Sequence, residues 1–148
     1  MEPRFIENDI EAQKNSFGVL NQLRFSLQLL ASDADVQANH FPPPHFFSFS
    51  FEMIDDFVHW AECVHTYWKL SQEQIATLKT LSNFLENMDW SPTPSAEPAE
   101  NVFLSPLWNE IRHLARITLE AFDWSLETPP QAQWVNGVLL DGASIDLP

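Results

Sequence analysis

Two Glu-x-x-His motifs are the residues in this chain whose types and spacing best suit chemistry. They read ECVH (Glu62, His65) and EIRH (Glu110, His113). Residues three apart share a helix face, so both side chains of such a motif can grip one metal ion. Two such motifs, with a glutamate from each of two other helices, form the ligand set of ferritin-like di-iron proteins. The spacing therefore raises one alternative function, that of a di-metal bundle enzyme.

Helical periodicity argues against this metal site. The ligands of a di-iron site project into the bundle core. Successive helical residues are rotated by about 100°, and the apolar stripe that includes Phe57 and Val64 marks the inward face of the helix that carries Glu62 and His65. Three of the four candidate ligands fall outside the apolar stripes of their helices. The remaining helices supply no well-placed inward glutamate. We interpret the four residues as surface side chains, and we expect no metal and no cofactor.

Two further groups of titratable residues are weaker candidates. Cys63 and His59 are four residues apart, the spacing of a metal-binding pair or of a nucleophile and its base, but no third group is identifiable. His40 and His45 flank Pro42–Pro44, and two ligands without a third make a poor metal site, so we expect polar loop residues. Phosphate loops, cysteine pairs, nucleophile elbows and zincin motifs are missing from the sequence. We predict that the protein is not an enzyme.

Length and composition indicate one globular domain. The 148 residues are 45% hydrophobic, with twelve Phe and six Trp available for a core. A chain of this length buries roughly 70% of its unfolded surface. Three glycines argue against a turn-rich all-β fold. We expect a mainly α, four-helix bundle-like domain over 1–148, with a helical core over 16–124 and a C-terminal extension over 125–148.

The lack of a visible targeting signal and the single cysteine predict a cytoplasmic protein. The sequence has no apolar run of about 18 residues, which predicts no membrane span. Its first fifteen residues, MEPRFIENDIEAQKN, have neither a basic region nor an apolar core of the kind found in signal peptides. The single cysteine, Cys63, excludes an intrachain disulfide and fits a reducing compartment.

The net charge of −14 comes from missing bases rather than from massed acids. Asp and Glu total 21, Lys and Arg total seven, and charged residues reach 19% against the usual ~25%. Seven dispersed bases cannot form a large positive patch, so nucleic acid and anionic membrane are disfavoured as partners. Dense rows of carboxylates, as a DNA mimic would carry, are also missing. A basic protein partner fits this charge.

The N-terminal third predicts one helix and a connector. In 16–31, the residues Phe17, Leu20, Leu23, Leu27 and Leu30 recur at helical spacing, although 23–30 also alternates as a strand would. We prefer the helix. Residues 32–45 are rich in turn formers and end in three prolines, which predicts a connector. The following run, 46–51 (FFSFSF), alternates Phe and Ser, and we expect a short strand or an extended lead-in.

Two helices follow, and their adjacency predicts a tight antiparallel hairpin. The first runs from about Glu52 to Leu70. The second has Ser71 as its N-cap and Gln74 at the capping-box position. Its apolar stripe consists of Ile75, Leu78, Leu81, Leu85 and Met88.

The last helix begins at Ser105, a predicted N-cap followed by Pro106. Its stripe consists of Leu107, Ile111, Leu114, Thr118 and Phe122, with Trp108 and Ala115 beside it. An Asn-Gly turn in the tail predicts a small hairpin or a docked extension. Residues 89–101 (DWSPTPSAEPAEN) have three prolines and no hydrophobic period, which predicts a loop. Trp90 in this loop and Trp134 in the tail are not held by any periodicity. They are candidate protein-binding anchors, although each could instead fold back over a helix end.

Four segments occur in an order that resembles a known pattern: LLASDADVQANHFP, FSFEMIDDF, LSQEQIATLKTLSNFLENM and WNEIRHLARITLEAF. Over about 16–124, the chain resembles a loose group of small, acidic, uncharacterised bacterial proteins. The resemblance implies a compact helical protein of the kind suspected to act through protein partners. It implies no activity and no catalytic residue.

These observations favour a non-catalytic bacterial protein-binding protein, most plausibly an immunity-type inhibitor of a toxin or effector. The first alternative is the di-metal bundle that would use Glu62, His65, Glu110 and His113. A second alternative is a structural subunit whose exposed apolar surface forms a homo-oligomer interface.

Overall fold

The fold is mainly α, as the sequence predicts. The computed structural model describes residues 4–5, 10–40, 46–88, 103–128, 133–135 and 138–140, with side chains over 16–40, 52–88 and 103–128. These residues form five helices and two short antiparallel strand pairs. Over the same ranges, each helix is too short or too polar to cross a lipid bilayer.

In the described residues, five helices and four short strands follow one another along the chain. The helices are α1 (Ile10–Ala31), α2 (Ala34–His40), α3 (Phe46–Tyr67), α4 (Gln72–Glu86) and α5 (Pro106–Ala121). The strands are β1 (Arg4–Phe5), β2 (Trp68–Lys69), β3 (Gln133–Val135) and β4 (Val138–Leu140).

The four long helices form a ring with one open side. Helix α1 packs extensively against both α3 and α5, and α5 packs against α4. Of the four neighbouring pairs in the ring, α3 and α4 pack together least, although they are adjacent in sequence. A short connection, residues 68–71, joins α3 to α4 as the predicted hairpin requires, but the two helices are not tightly packed against each other. The seam between these two helices is the least closed side of the bundle.

Helix α1 is the central element, and the strand alternative for 23–30 is wrong. The helix starts at Ile10, and its stripe residues Leu23, Leu27 and Leu30 are fully buried. All residues of 26–32 are buried, because this half of α1 lies between α3 and α5. A helix enclosed in this way lacks a polar face, which explains the ambiguous sequence pattern. Phe17, placed in the stripe by periodicity, is instead 51% exposed.

Two segments between α1 and the middle of α3 differ from the prediction. Part of the expected connector is helix α2, and His40, expected in a polar loop, is buried at 3% exposure and packs near the Phe25 ring. Residues 46–51 are the first turns of α3, not a strand or extended segment. Phe47 and Phe51 are also four residues apart, so six residues cannot distinguish the two periods.

Helices α4 and α5 begin at the predicted caps. The Ser71 hydroxyl accepts from the Gln74 amide at 3.1 Å and the Gln74 side chain accepts from the Ser71 amide at 2.8 Å, a complete capping box. Ser105 caps α5, with Pro106 at its start. Ile75 is 41% exposed, contrary to its predicted place in the core. The buried side chain there is Gln74, which donates to the Ala121 carbonyl.

Helix α5 ends in a Schellman motif without glycine. Asp123 has a φ of 56°, and its amide donates to the Glu120 carbonyl. The Trp124 amide donates to the Leu119 carbonyl, which completes the motif. The ring of Trp124 stacks on Phe122 at 4.6 Å between centroids, so this end of α5 is covered by aromatic side chains.

Two strand pairs complete the described residues. Strands β3 and β4 pair with Val135 opposite Val138, which confirms the predicted tail hairpin. Strands β1 and β2 pair Arg4 with Lys69. Beside them, the indole nitrogen of Trp68 donates to the Ser16 carbonyl at 3.0 Å. The chain after α3 is therefore held against the start of α1.

Gly18 offers a direct test of whether α1 is a continuous helix. It lies inside the helix, and a Cβ added there would meet no atom within 4 Å apart from those of the helix itself. Glycine in a helix interior costs about 0.5–1 kcal/mol relative to alanine. We expect Gly18→Ala to raise the free energy of unfolding by about that amount in urea titrations.

An unchanged or lowered stability of Gly18→Ala would show that α1 is not a continuous helix at this position. Ala76→Gly on the exposed face of α4 is the matched control, since it should lower stability by a similar amount.

Candidate functional site

The C-terminal end of α1 is the most polar buried place in the described bundle. The last four carbonyls of a helix lack partners within the helix and must find them elsewhere when the end is buried. The Ser32 hydroxyl donates to the Gln28 carbonyl at 2.6 Å. The side-chain Nε2 of Gln37, on α2, donates to the next two carbonyls, those of Leu29 and Leu30, at 3.0 and 3.1 Å.

The fourth carbonyl is reached from α5. The Arg116 Nε donates to the Ala31 carbonyl at 3.0 Å, while its Nη2 donates to the Asp33 carboxylate at 2.9 Å. A positive charge at a helix C-terminus is favourable because it complements the helix dipole. The ion pair with Asp33 is largely solvent-exposed, so the carbonyl contact matters more than the pair.

Arg112, one turn earlier on α5, is a buried cation held by neutral groups. Its Nη1 donates to the Gln37 side-chain oxygen at 2.8 Å, and its Nη2 donates to the Asn109 side-chain oxygen. Burial lowers the pKa of the Arg112 guanidinium, the like charge of Arg116 lowers it further, and Asp33 acts in the opposite direction. Arginine nevertheless stays protonated at neutral pH. Gln37, fully buried, thus joins α1, α2 and α5.

These contacts predict strong coupling between Gln37 and Arg112. In Gln37→Met, the Arg112 charge loses one of its acceptors and the Leu30 carbonyl loses the Gln37 donor, while the Leu29 carbonyl keeps its bond from the Ser32 backbone amide, so we expect a loss of about 3 kcal/mol in stability. The double variant Gln37→Met/Arg112→Met should lose less than the sum of the two single variants, because the buried charge is removed together with its acceptor. Urea denaturation of all four proteins measures this difference.

Gln72→Met, at an exposed position of α4, is the matched control and should change stability little. If the two single losses simply add, Gln37 and Arg112 do not act as one unit.

The four predicted metal-ligand candidates lie on the surface. Glu62 and His65 on α3 are both exposed, as are Glu110 and His113 on α5. The directions indicated by the helical wheel agree with the structure. Among the residues with described side chains, no group of three or more His, Cys, Asp or Glu is placed to hold a metal ion. The geometry therefore does not favour the di-metal alternative.

Cys63 and His59 do lie together on α3. The Cys63 Sγ is 3.7 Å from the His59 Nε2 on the exposed part of the helix. Of the histidines beside the prolines, His40 is buried in α2, and His45 lies outside the described residues. Trp90 also lies outside them. Trp134 is described only as backbone, paired with Leu139 in the tail hairpin. Its role as an anchor stays a prediction.

A groove lies in the open seam between α3 and α4, with a volume of about 420 Å³. It is lined by Ile54, Asp55, Val58, His59 and Glu62 from α3 and by Leu85 and Glu86 from α4. Ile54 and Leu85 are buried, Val58 is half-buried, and the titratable residues are exposed. The groove thus has an apolar floor and an acidic rim. We call it the α3–α4 groove.

A second groove, of about 590 Å³, lies between α4 and α5. Its apolar residues Phe84, Met88, Leu107 and Leu114 are half-buried, and Glu110 is the one carboxylate among the residues found to line it. The groove opens where α4 ends and α5 begins. The chain that joins these two ends, residues 89–102, lies outside the described residues.

The fold and grooves define a small helical bundle with surface clefts. Comparison of the chain with protein-family models, with curated proteins and with solved structures found no match. Functional inference therefore depends on the chain's own residues.

Sequence reasoning missed Gln37, Asn109, Arg112 and Arg116. One signal was present: Arg112 lies among Trp108, Ile111 and Ala115 on the wheel of α5, although arginine is seldom fully buried. The α3–α4 groove left no signal of its own, because its two walls are separate helices whose spacing depends on the whole bundle.

Proposed function

We propose that this chain is a non-catalytic binding protein that captures a partner protein with a basic surface, in the manner of an immunity-type inhibitor that caps a toxin or effector. The observation that carries the proposal is that part of the small set of basic residues is engaged inside the bundle. Two of the seven, Arg112 and Arg116, are engaged at the end of α1. Arg112 is buried, and the exposed Arg116 is paired with the Asp33 carboxylate, so these two residues contribute little unbalanced positive charge to the surface.

The distribution of acids supports the same proposal. Exposed carboxylates occur on both helices that flank the seam, at Glu52, Asp55, Asp56 and Glu62 on α3 and at Glu73 and Glu86 on α4. Between Glu52 and Trp68 the sequence contains neither lysine nor arginine. A surface of one sign attracts partners of the opposite sign and speeds their encounter.

The same charge argues against other classes of partner. Nucleic acids and anionic lipid surfaces carry negative charge, and their binding requires clustered lysine and arginine. Of the five basic residues outside the α1 network, Lys69 and Lys79 are exposed, and Arg24 is half-buried on α1. These three described side chains lie on three different elements, α1, β2 and α4, which does not favour a clustered phosphate-binding surface among the described side chains.

Salt dependence tests the proposal. The tagged chain is used to capture partners from the organism that encodes it, and each candidate partner is purified and titrated against the chain by calorimetry at 50 and 300 mM NaCl. We expect a direct one-to-one complex whose affinity falls about tenfold or more at the higher salt, since screening shortens the reach of surface charges.

Sucrose at matched osmolality in place of the added salt is the control and should leave the affinity unchanged. If every purified candidate fails to bind, or if the affinity is insensitive to salt, the proposed function is wrong.

A further inference from the structure

The α3–α4 groove is positioned to receive part of another molecule. Of the four neighbouring helix pairs in the ring, α3 and α4 pack together least, although a groove also lies between α4 and α5. At about 420 Å³, the groove is near the small end of ligand pockets, which span about 300–1,000 Å³. This size suits a few side chains of a docked segment rather than a whole inserted helix.

Charge complementarity selects the occupant. Asp55 and Glu62 lie on the α3 wall and Glu86 on the α4 wall, and all three are exposed. The described residues that line the groove include neither lysine nor arginine. A cation seated there would face carboxylates from both sides, over a floor where Ile54 and Leu85 lower the local dielectric constant. A second copy of this acidic chain would meet repulsion at the same place.

The spacing along α3 adds a geometric condition. Asp55 and Glu62 are seven residues apart, which is two helical turns or about 10 Å. Val58 lies between them on the same face. A partner helix lying along the seam would match this spacing if it carried basic residues at i and i+7 and apolar residues at i+3 and i+4. Its basic residues would then face Asp55 and Glu62, and its apolar residues would face Val58.

We propose that the α3–α4 groove binds a basic amphipathic helix of the partner protein, with two Arg or Lys side chains on the Asp55, Glu62 and Glu86 rim and an apolar side chain over Val58. This inference rests on the proposed function and specifies its binding site. The contact combines a small apolar centre with charged flanks, as protein interfaces commonly do.

Peptide binding to the full chain tests the assignment. The probe is a fluorescent synthetic helix with Arg at i and i+7 and Leu at i+3 and i+4, measured by anisotropy at 50 mM NaCl. We expect the groove variant Asp55→Asn/Glu62→Gln/Glu86→Gln to bind at least about tenfold more weakly than the unmodified chain. Peptides with Gln in place of both Arg, or in place of both Leu, should also bind more weakly.

The matched control is Glu73→Gln/Glu110→Gln/Glu120→Gln. It removes the same number of exposed carboxylates from α4 and α5 outside this groove, one of them from the α4–α5 groove. We expect its affinity to remain within about threefold of the unmodified chain. Urea denaturation confirms that both variants are folded before binding is compared.

Three results would overturn the assignment. Equal weakening by both triple variants would mean that binding follows total charge, and the proposed function would then stand without this site. Failure of the probe to bind the unmodified chain would remove the site directly, whatever the capture experiment yields. Concentration-dependent dimerisation in sedimentation runs, changed by the groove variant alone, would identify a second copy as the occupant.

Discussion

The end of α1 is the constraint on which the rest of the bundle depends. A helix that stops inside a protein leaves carbonyl groups that water cannot reach, and each must be given a donor. Here the donors are the Ser32 hydroxyl and backbone amide, the Gln37 side-chain amide and the Arg116 guanidinium. These donors come from three different places in the chain. Satisfying the end of α1 therefore also fixes α2 and α5 against it.

The same constraint affects the surface. Arg112 and Arg116 are needed at the end of α1, where their charge complements the helix dipole. They are therefore poorly available to balance the carboxylates on α3 and α4. Two of the seven basic residues thus lie at the buried end of α1 and not beside the carboxylates of the α3–α4 seam.

Sequence patterns predicted the parts of the fold that depend on local physics. The caps at Ser71 and Ser105 are local, because a side chain and an amide three residues apart decide them. The buried stripes of α4 and α5 were mostly recovered for the same reason. The strand-like reading of 46–51 was wrong, since a strand requires a partner that a six-residue pattern cannot show. Helix α2 was missed because seven residues are too few to be helical without the contacts of Gln37.

The candidate sites divide in the same way. Helix geometry alone placed three of the four residues Glu62, His65, Glu110 and His113 outside the apolar stripes, and all four are exposed. The α3–α4 groove does not follow from either helix, because it exists only where two weakly packed neighbours diverge. The buried role of Arg112 could not be predicted either, because the sequence does not show that Gln37 lies opposite it and accepts its hydrogen bond.

The pairing of β1 with β2 has a consequence for how the chain reaches this structure. Arg4 lies opposite Lys69, so the two-residue ladder closes a loop of about 65 residues. Few hydrogen bonds repay the loss of chain entropy on closure, so the ladder should form only after α1 and α3 have docked. It would then also be the first contact to open when the native state fluctuates. Strand β1 would then attach late in folding, and its release would leave the helical ring intact.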